Sequence, residues 1–391
     1  MQVDMKKIYV DNSSTTFPKA VGVSDVIKNF LDNGAYNAGR GSYGGAYDIS
    51  MEILEARQLL ADMLKAKSPQ EIIFTPGATY SINMILQGLL KSGDHVITTS
   101  MEHNAVMRPL HALLKKGVSH TIVNACEEGF VKADDFVPLI KEETKAIVML
   151  HASNVCGTIM PIDEVSKICQ KHNIRLIVDA AQTAGILDID VGLIDALVFA
   201  GHKGLLAPAG IGGFVIKRDF AKEIAPVILG GTGSFSHELE HPSTLPDKFE
   251  AGTINIPAIL GLKKAIEYIN MVGMEAIHEK EMALTSMFLS GLEGINDIRV
   301  IGKKGISDRV AVVSLDFLGR DNAAVAALLD ERYGIMARCG LHCAPNAHKS
   351  LKTYPHGTIR FSFGHFNTVD EVKYILQAIK DIMIRGGNCG L

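Results

Sequence analysis

The 391-residue sequence lacks the features that mark membrane, secreted and nucleic-acid-binding proteins. No apolar run approaches the ~20 residues that span a bilayer, and the polar start MQVDMKKIYVDNSS lacks the apolar middle of a secretory signal. Lys and Arg total 39 against 43 acidic residues, and no basic cluster stands out. These absences predict a cytoplasmic protein that acts on a small molecule, with no nucleic acid and no membrane among its partners.

Cysteine is also scarce, with six residues at uneven spacings. They form no disulfide framework, so reduced thiols in a reducing compartment are expected. Two of them, Cys339 and Cys343, lie with His342 in the stretch ARCGLHCAP. Together with His348 they offer four zinc ligands, but C-x-x-H-C-x-x-x-x-H is not a common ligand spacing. The remaining interpretations of Cys343 are a nucleophile and a small buried residue.

The pattern of apolar segments predicts an α/β fold. Hydrophobic residues make up 47% of the chain and charged residues 21%, which is typical of a folded globular protein. From about residue 50, helical periods alternate with short apolar runs such as EIIFT, KAIVML, IRLIVDA and DALVFA. Such runs indicate a mostly parallel, helix-flanked sheet buried on both faces. We expect a large domain at residues 17–265 and a smaller α+β domain built from residues 1–16 and 266–391.

Two motif matches lack the context that their function requires. GRGSYG at 39–44 fits a dinucleotide fingerprint, but nothing strand-like precedes it. HELEH at 237–241 fits a zinc-protease motif, but Gly, Ser and Pro flank it and Pro242 argues against a helix. Both matches are interpreted as coincidence, and no metal site is predicted.

A lysine and a carboxylate follow two predicted strands. Lys203 comes directly after DALVFAGH, where a solvated loop residue and a Schiff-base lysine are equally compatible with the local sequence. Asp179 ends the earlier strand of NIRLIVDAAQ, and a carboxylate at that place can keep a pyridine nitrogen protonated. The pair together points to pyridoxal 5'-phosphate as cofactor.

The phosphate and the ring of that cofactor also need partners. EIIFTPGATYSINMILQG reads as a strand, a Pro-Gly turn and a helix, whose first amides and Thr79 hydroxyl can bind a dianion. An ordinary strand-to-helix turn would look the same. His103 follows the strand DHVIT at the edge where the ring would lie.

With these residues in place, the chain resembles the fold-type I, class V aminotransferase-like enzymes, and within them the cysteine desulfurases and selenocysteine lyases. The resemblance covers essentially the whole chain. It is carried by VDNSSTT, PGATYSIN, MEHNAV, HASNVCGT, VDAAQ, GHKG, EAGT, RCGLHCA and IRFSF, in the family's order and at roughly its spacings.

The resemblance implies a role for each matching residue and a homodimer. Lys203 would form the Schiff base, Asp179 would pair the pyridinium, and His103 would stack on the ring and help move protons. Arg360 would clamp the substrate carboxylate with its planar fork. The remaining implied contacts are Asn154 and Gln182 to the ring oxygen and the substrate side, Ala78, Thr79 and His202 to the phosphate, and Thr253 to the phosphate of the neighbouring subunit's cofactor.

Cys343 matches the family's catalytic cysteine, in a loop of the small domain. The resemblance implies that its thiolate takes sulfur from cysteine as a persulfide and leaves alanine, for delivery to a sulfur acceptor. Arg338 and His342 are near enough in the sequence to assist the thiolate. The alternatives are selenocysteine lyase, another pyridoxal-dependent elimination or transamination, and a non-catalytic metal-binding or sulfur-carrier protein.

Several positions depart from the family pattern. Ala200 and Ala78 stand where hydroxyl residues are common, so the phosphate would rely on backbone amides and Thr79. Leu341 replaces a frequent histidine and Cys339 a frequent threonine, which affects proton transfer near the thiol. Cys389, in the tail RGGNCGL, is interpreted as an incidental thiol and not as a sulfur relay.

Overall fold

The structure is a computed structural model that describes residues 7–38, 43–234 and 236–385. No helix in the described part of the chain is long and apolar enough to cross a membrane. The helices are α1 (Val23–Asn33), α2 (Gly44–Met63), α3 (Ala78–Leu89), α4 (Asn104–Leu114), α5 (Ile162–His172), α6 (Arg218–Glu223), α7 (Ile256–Val272), α8 (Met274–Leu292), α9 (Asn322–Tyr333), α10 (Pro345–Ser350) and α11 (Val369–Arg385). The strands are β1 (Ile8–Tyr9), β2 (Ile72–Thr75), β3 (His95–Thr99), β4 (Ser119–Val123), β5 (Thr144–Leu150), β6 (Arg175–Asp179), β7 (Ala196–Ala200), β8 (Gly212–Ile216), β9 (Ile298–Ile301), β10 (Val312–Phe317), β11 (Ile335–Met336), β12 (Arg338–Gly340) and β13 (Thr358–Ser362).

The largest sheet has seven strands in the order β2-β8-β7-β6-β5-β3-β4. All neighbouring pairs are parallel except those of β8, which runs antiparallel to both β2 and β7. The predicted mostly parallel sheet of an α/β fold is therefore confirmed.

Both faces of this sheet are covered by helices. Successive residues of a strand point to opposite faces, and on β5 they enter two separate apolar clusters. Ile147 and Met149 pack with residues of α1, α2, α5 and α7, whereas Ala146 and Val148 pack with residues of α3, α4 and α6. Burial on both faces explains why the strands are continuously apolar and do not alternate.

A second, antiparallel sheet has the order β12-β13-β10-β9 and packs with α8, α9 and α11 around its own apolar cluster. The N-terminal strand β1 pairs with β11, so residues far apart in the sequence meet. This is the α+β part that the sequence predicts. The predicted boundary at residue 265 falls inside the continuous helix α7, and the division into two domains stays a prediction.

The carboxyl ends of six large-sheet strands lie at one edge, because β2, β3, β4, β5, β6 and β7 all run in the same direction. In open α/β sheets this edge is where ligands bind. α3 follows β2 and α4 follows β3 at this edge. Asp179 is the last residue of β6, and Lys203 follows the end of β7.

Candidate active site

A cavity of about 360 Å³ opens at this edge of the sheet. It brings together every residue predicted to bind cofactor or substrate except Thr253. Cys343 lies outside its lining. The predicted residues that line the cavity are Ala78, Thr79, His103, Asn154, Asp179, Gln182, His202, Lys203 and Arg360.

Lys203 and Asp179 form the charged floor of the cavity. Burial lowers the pKa of Lys203 to about 8, an effect that the Asp179 carboxylate opposes and Arg360 reinforces. Burial raises the pKa of Asp179. The N–H of Ala181, which donates to Asp179 Oδ1 at 3.0 Å, and the charge of Lys203 both oppose this rise. A lysine with this pKa is deprotonated far more often at neutral pH than an exposed one, which suits a carbonyl-capturing amine.

His103 is placed by the start of α4. It is the N-cap residue, and its Nδ1 accepts the N–H of Ala105 at 3.0 Å, which leaves Nε2 to carry the ring proton. Burial, and next the charge of Lys203, lower the pKa of His103 to about 4. The ring is neutral at physiological pH and can lie against an aromatic cofactor without adding charge.

The N-terminus of α3 offers the predicted phosphate seat. The first turn of a helix leaves amide N–H groups without intrahelical partners, and here Gly77, Ala78 and Thr79 line the cavity at that turn. His202 lies in the same lining, and burial followed by the charge of Lys203 lowers its pKa to about 4. Ala200 also lines the cavity and adds no hydroxyl, so amides, Thr79 and a neutral His202 are the donors available.

Asn154 and Gln182 present amide groups to the cavity. Asn154 Nδ2 donates to the carbonyl of His342 at 2.7 Å, while Asn154 Oδ1 is buried without a hydrogen-bond partner among the described residues. Gln182 Nε2 donates to the carbonyl of Ser13 at 3.1 Å. An unsatisfied buried acceptor is costly, and a ligand hydroxyl or amine in the cavity would satisfy it. The donor set therefore fits pyridoxal 5'-phosphate.

Arg360 is almost fully buried, and its guanidinium is already engaged. Nη1 donates to the carbonyl of Asn154 at 2.9 Å, and Nη2 donates to Asp11 Oδ1 at 2.6 Å and to Ser14 Oγ at 2.7 Å. Its Nε has no partner among the described residues. A substrate carboxylate would therefore meet an arginine whose position is fixed by Asp11 and Ser14.

Cys343 lies on the turn between β12 and α10. His342 and Cys343 both have left-handed backbone conformations, with φ of 47° and 58°. Asn104 N–H donates to the Cys343 carbonyl at 2.7 Å, and Arg338 Nη2 lies 3.7 Å from Cys343 Sγ. The thiol is exposed and lines a second cavity, of about 420 Å³, that shares Thr79 and His103 with the first.

The structure supports Arg338 as a partner of the Cys343 thiol. It does not support His342 in that role. The His342 ring is buried, and its Nε2 pairs with Thr358 Oγ1 at 3.1 Å. Burial, and next the charge of Arg360, lower the pKa of His342 well below its usual value. A neutral ring turned toward Thr358 supplies no positive charge to a thiolate, which corrects the expectation drawn from its place in the sequence.

The other interpretations of the cysteine stretch lose support from the geometry. Cys339 and Cys343 are free thiols. Within the described residues, no group of three or more His, Cys, Asp or Glu side chains could hold a metal ion. His348 Nδ1 pairs with Thr353 Oγ1 at 2.7 Å.

The misleading motifs and the remaining predictions have different outcomes. HELEH lies in irregular backbone, as predicted, so its histidines share no helix. In GRGSYG, residues 39–42 lie outside the described residues, and no strand occurs at 34–38 before the motif. Cys389 also lies outside the described residues.

Thr253 is exposed and lines neither cavity, so its contact with a neighbouring subunit stays a prediction.

Three buried or half-buried polar residues at the site carry no predicted role: Asp11, Ser14 and Glu102. Asp11 and Ser14 belong to the VDNSSTT stretch, which was recognised as a motif without roles for its residues. Glu102, directly before His103, is fully buried, and its Oε1 accepts the Thr99 hydroxyl at 2.6 Å and the Leu150 N–H at 3.0 Å. Burial is the main cause that raises the pKa of Glu102 to about 8. Its place three residues after the end of β3, next to His103, was the available signal.

Comparisons with known proteins agree with this geometry. The Aminotransferase class-V family profile matches residues 8–375. A probable cysteine desulfurase of Methanothermobacter thermautotrophicus is 32% identical over 382 residues, covering 96% of this chain and 94% of the relative. Another, of Synechocystis, is 33% identical over 389 residues, covering 95% of this chain and 90% of the relative.

Solved structures give the same result. The apo structure of a cysteine desulfurase from Thermococcus onnurineus has a TM-score of 0.90 at 30% identity, covering 97% of this chain and 95% of that one. An Escherichia coli cysteine desulfurase in an S-sulfonic acid form has a TM-score of 0.86 at 26% identity, with 96% and 94% covered.

Proposed function

Because the chain belongs to the class-V aminotransferase family, we propose that the two cavities form one active site in which Cys343 is the sulfur-accepting nucleophile. The protein is a pyridoxal 5'-phosphate-dependent cysteine desulfurase, which converts L-cysteine to L-alanine. In the balanced reaction, the C–S bond of cysteine breaks, an S–S bond forms on the enzyme thiol, and the former sulfur-bearing carbon gains a proton.

The cofactor's residues follow from the lining of the first cavity. Lys203 would hold its carbonyl, Asp179 its ring nitrogen, and the first turn of α3 with Thr79 and His202 its phosphate. Asn154 Oδ1 and Gln182 would face its ring oxygen, and His103 its ring. When bound, the cofactor supplies an electron sink for the substrate's α-carbon.

Three side chains of the protein then bind the substrate, carry a proton and face the thiol. Arg360, held by Asp11 and the Asn154 carbonyl, binds the substrate carboxylate through its remaining N–H groups. The amine of Lys203 has a pKa of about 8 and lies in the cavity, so it is placed to hold or carry a proton. Arg338 places its guanidinium 3.7 Å from the Cys343 sulfur, where its positive charge faces the sulfur during the transfer.

The observation that carries this assignment is the placement of Cys343. Its cavity shares Thr79 and His103 with the cavity that holds Lys203, so the thiol is next to the site where the substrate would bind. A thiol in this place, exposed and beside a guanidinium, has the surroundings of a reactive cysteine and not those of a structural one.

The test is to give reduced holoenzyme one equivalent of cysteine, alkylate at once, and map the added sulfur by mass spectrometry. We expect one extra sulfur on Cys343 and one equivalent of alanine. Cys343→Ser should lose persulfide and sulfide formation, whereas the matched control Cys339→Ser should keep both. Full sulfide release by Cys343→Ser would show that the nucleophile is another group.

A homodimer is supported by an apolar stripe on α2. Tyr47, Met51 and Leu54 follow one another at i, i+4 and i+7, and all three are exposed. Such a stripe at this spacing suits burial against a second copy. Thr253, which reaches neither cavity of its own chain, would then serve the partner's phosphate. Met51→Arg should lower the molecular mass measured by light scattering, whereas the exposed-site control Glu142→Gln should not.

A sulfur acceptor would approach along the second cavity, between α3 and α4. Arg108 and Lys116 line it, and no acidic side chain is part of that lining. An acceptor segment with acidic residues beside its thiol would fit these charges. With a synthetic acidic cysteine peptide as probe, Lys116→Glu should slow sulfur transfer from the persulfide, while Lys115→Glu, one residue outside the lining, should not. Equal rates would exclude this route.

The reducing cytoplasm is the location that we propose for this reaction. The cysteines in the described part of the chain are all free thiols. A persulfide carrier needs such an environment, because oxidised thiols cannot accept sulfur.

A further inference from the structure

The hydroxyl of Ser14 lies between two arginines that serve different steps of the proposed function. Arg360 Nη2 lies 2.7 Å from Ser14 Oγ, and Arg338 Nη1 lies 2.8 Å from the same atom. The first arginine belongs to the substrate carboxylate site. The second is the cation next to the nucleophile.

The hydrogen-bonding capacity of the Ser14 hydroxyl fixes its orientation. A serine hydroxyl has one proton to donate and two lone pairs that accept. Ser14 Oγ donates to Asp11 Oδ1 at 2.9 Å, so both lone pairs face the arginines. Asp11 also pairs with Arg360, which makes it the carboxylate that balances this cluster.

Arg338 depends on Ser14 more than Arg360 does. Arg360 keeps Asp11 and the Asn154 carbonyl when the serine hydroxyl is removed. Among the described residues, the Arg338 guanidinium has only two side-chain contacts, Ser14 Oγ and Cys343 Sγ. Without Ser14, Arg338 has no fixed contact other than the thiol itself, and the charge of Arg360 repels it.

From this arrangement, and resting on the proposed function, we infer that Ser14 is a positioning residue that holds Arg338 beside the Cys343 thiol. Its hydroxyl keeps a long, half-buried side chain in the conformation that places a guanidinium at the sulfur. Removing the hydroxyl therefore changes the reactivity of the thiol before it changes the binding of the substrate carboxylate.

The test measures the rate at which iodoacetamide alkylates Cys343 in the holoenzyme, as a function of pH and without cysteine. Ser14→Ala should lower the rate near neutral pH about threefold, the size of effect that loss of an exposed charge contact gives. Ser14→Thr, which keeps a hydroxyl, should restore it. The KM for cysteine should change less than about twofold in Ser14→Ala, because Arg360 keeps its other partners.

Arg338→Met tests the same inference independently, and it replaces Ser14→Ala if that variant folds poorly. This variant should slow alkylation by a similar factor, and adding Ser14→Ala to it should have no further effect. An unchanged alkylation rate in Ser14→Ala, or a raised KM with unchanged alkylation, would overturn the inference. Because alkylation needs no turnover, this outcome is separate from a failure of Cys343 as the sulfur acceptor.

Discussion

Replacing Glu102 with Gln should remove a pH-dependent loss of stability from this protein. Burial raises the pKa of Glu102 to about 8, against 4.5 for an exposed glutamate. The folded state therefore keeps the proton over a pH range in which the unfolded state has released it. This contribution to stability is complete below the unfolded pKa and is lost as pH rises toward the folded pKa.

The size of the loss follows from the difference between the folded and unfolded pKa values of Glu102. Between about pH 4.5 and about pH 8, each pH unit costs roughly 1.4 kcal/mol, so going from about pH 6 to about pH 8.5 costs the wild type roughly 2.5 kcal/mol through this group. The Gln side chain has a similar shape, and its Oε1 can accept from Thr99 and Leu150 as the glutamate does. It has no proton to lose, so the variant avoids that cost.

The assay is a thermal melt of wild type and Glu102→Gln holoenzyme at both pH values. For 391 residues, an unfolding entropy of about 2.1 cal/mol/K per residue converts the difference into roughly 3 °C. The Tm of the variant minus that of the wild type should rise by this amount between the lower and the higher pH. Burial also raises the pKa of Glu281 to about 8. Because Glu281 is present in both proteins, its contribution cancels in the difference between their Tm values.

The exposed substitution Glu142→Gln is the matched control and should show no such trend. A constant difference between Glu102→Gln and wild type across the pH range would refute the reasoning. Glu102 would then be ionised in the folded protein, with an unseen donor at its Oε2.

Three further outcomes can be checked on the same protein. The cofactor-free protein should capture pyridoxal 5'-phosphate about tenfold faster per pH unit up to about pH 8 and then level off, as followed by absorbance, because the pKa of Lys203 is about 8; a rise continuing to about pH 10 would contradict this. Arg360→Lys should raise the KM for cysteine about tenfold or more with a smaller change in kcat, because a lysine lacks the planar fork; an unchanged KM would place the substrate carboxylate elsewhere. Cys339→Ser should keep the wild-type rate of sulfide release, because burial, with Asp321 adding to it, raises the pKa of Cys339; a strongly reduced rate would make Cys339 part of the sulfur path.

The parts of the fold that depend on local sequence were predictable. The apolar runs that became β3, β5, β6 and β7 are fully or nearly fully buried, so their composition alone identified them. Lys203 and Asp179 directly follow or end such runs, and parallel strands bring their ends to one edge. The direction of β8 was not predicted, although the helix-free connection at residues 201–211 favours an antiparallel neighbour.

The parts that depend on contacts between distant residues were not predictable in the same way. The pairing of β1 with β11, and of Asp11 with Arg360, joins distant parts of the chain without any local pattern. The neutral state of His342 follows from its burial against Thr358, which the sequence does not display. A residue's neighbours in sequence suggested a role for this histidine, and its neighbours in space removed it.

The turn that carries Cys343 is fastened at several points. Asn154 holds the carbonyl of His342, the N–H of Asn104 holds that of Cys343, and Ala344 N–H closes the turn onto Leu341 at 2.8 Å. These contacts hold the turn in place, so a sulfur atom that Cys343 accepted, as proposed, would stay beside the cavity between α3 and α4. On this proposal, an acceptor thiol would have to reach into that cavity, so the rate of sulfur delivery would depend on the flexibility of the acceptor more than on that of the enzyme.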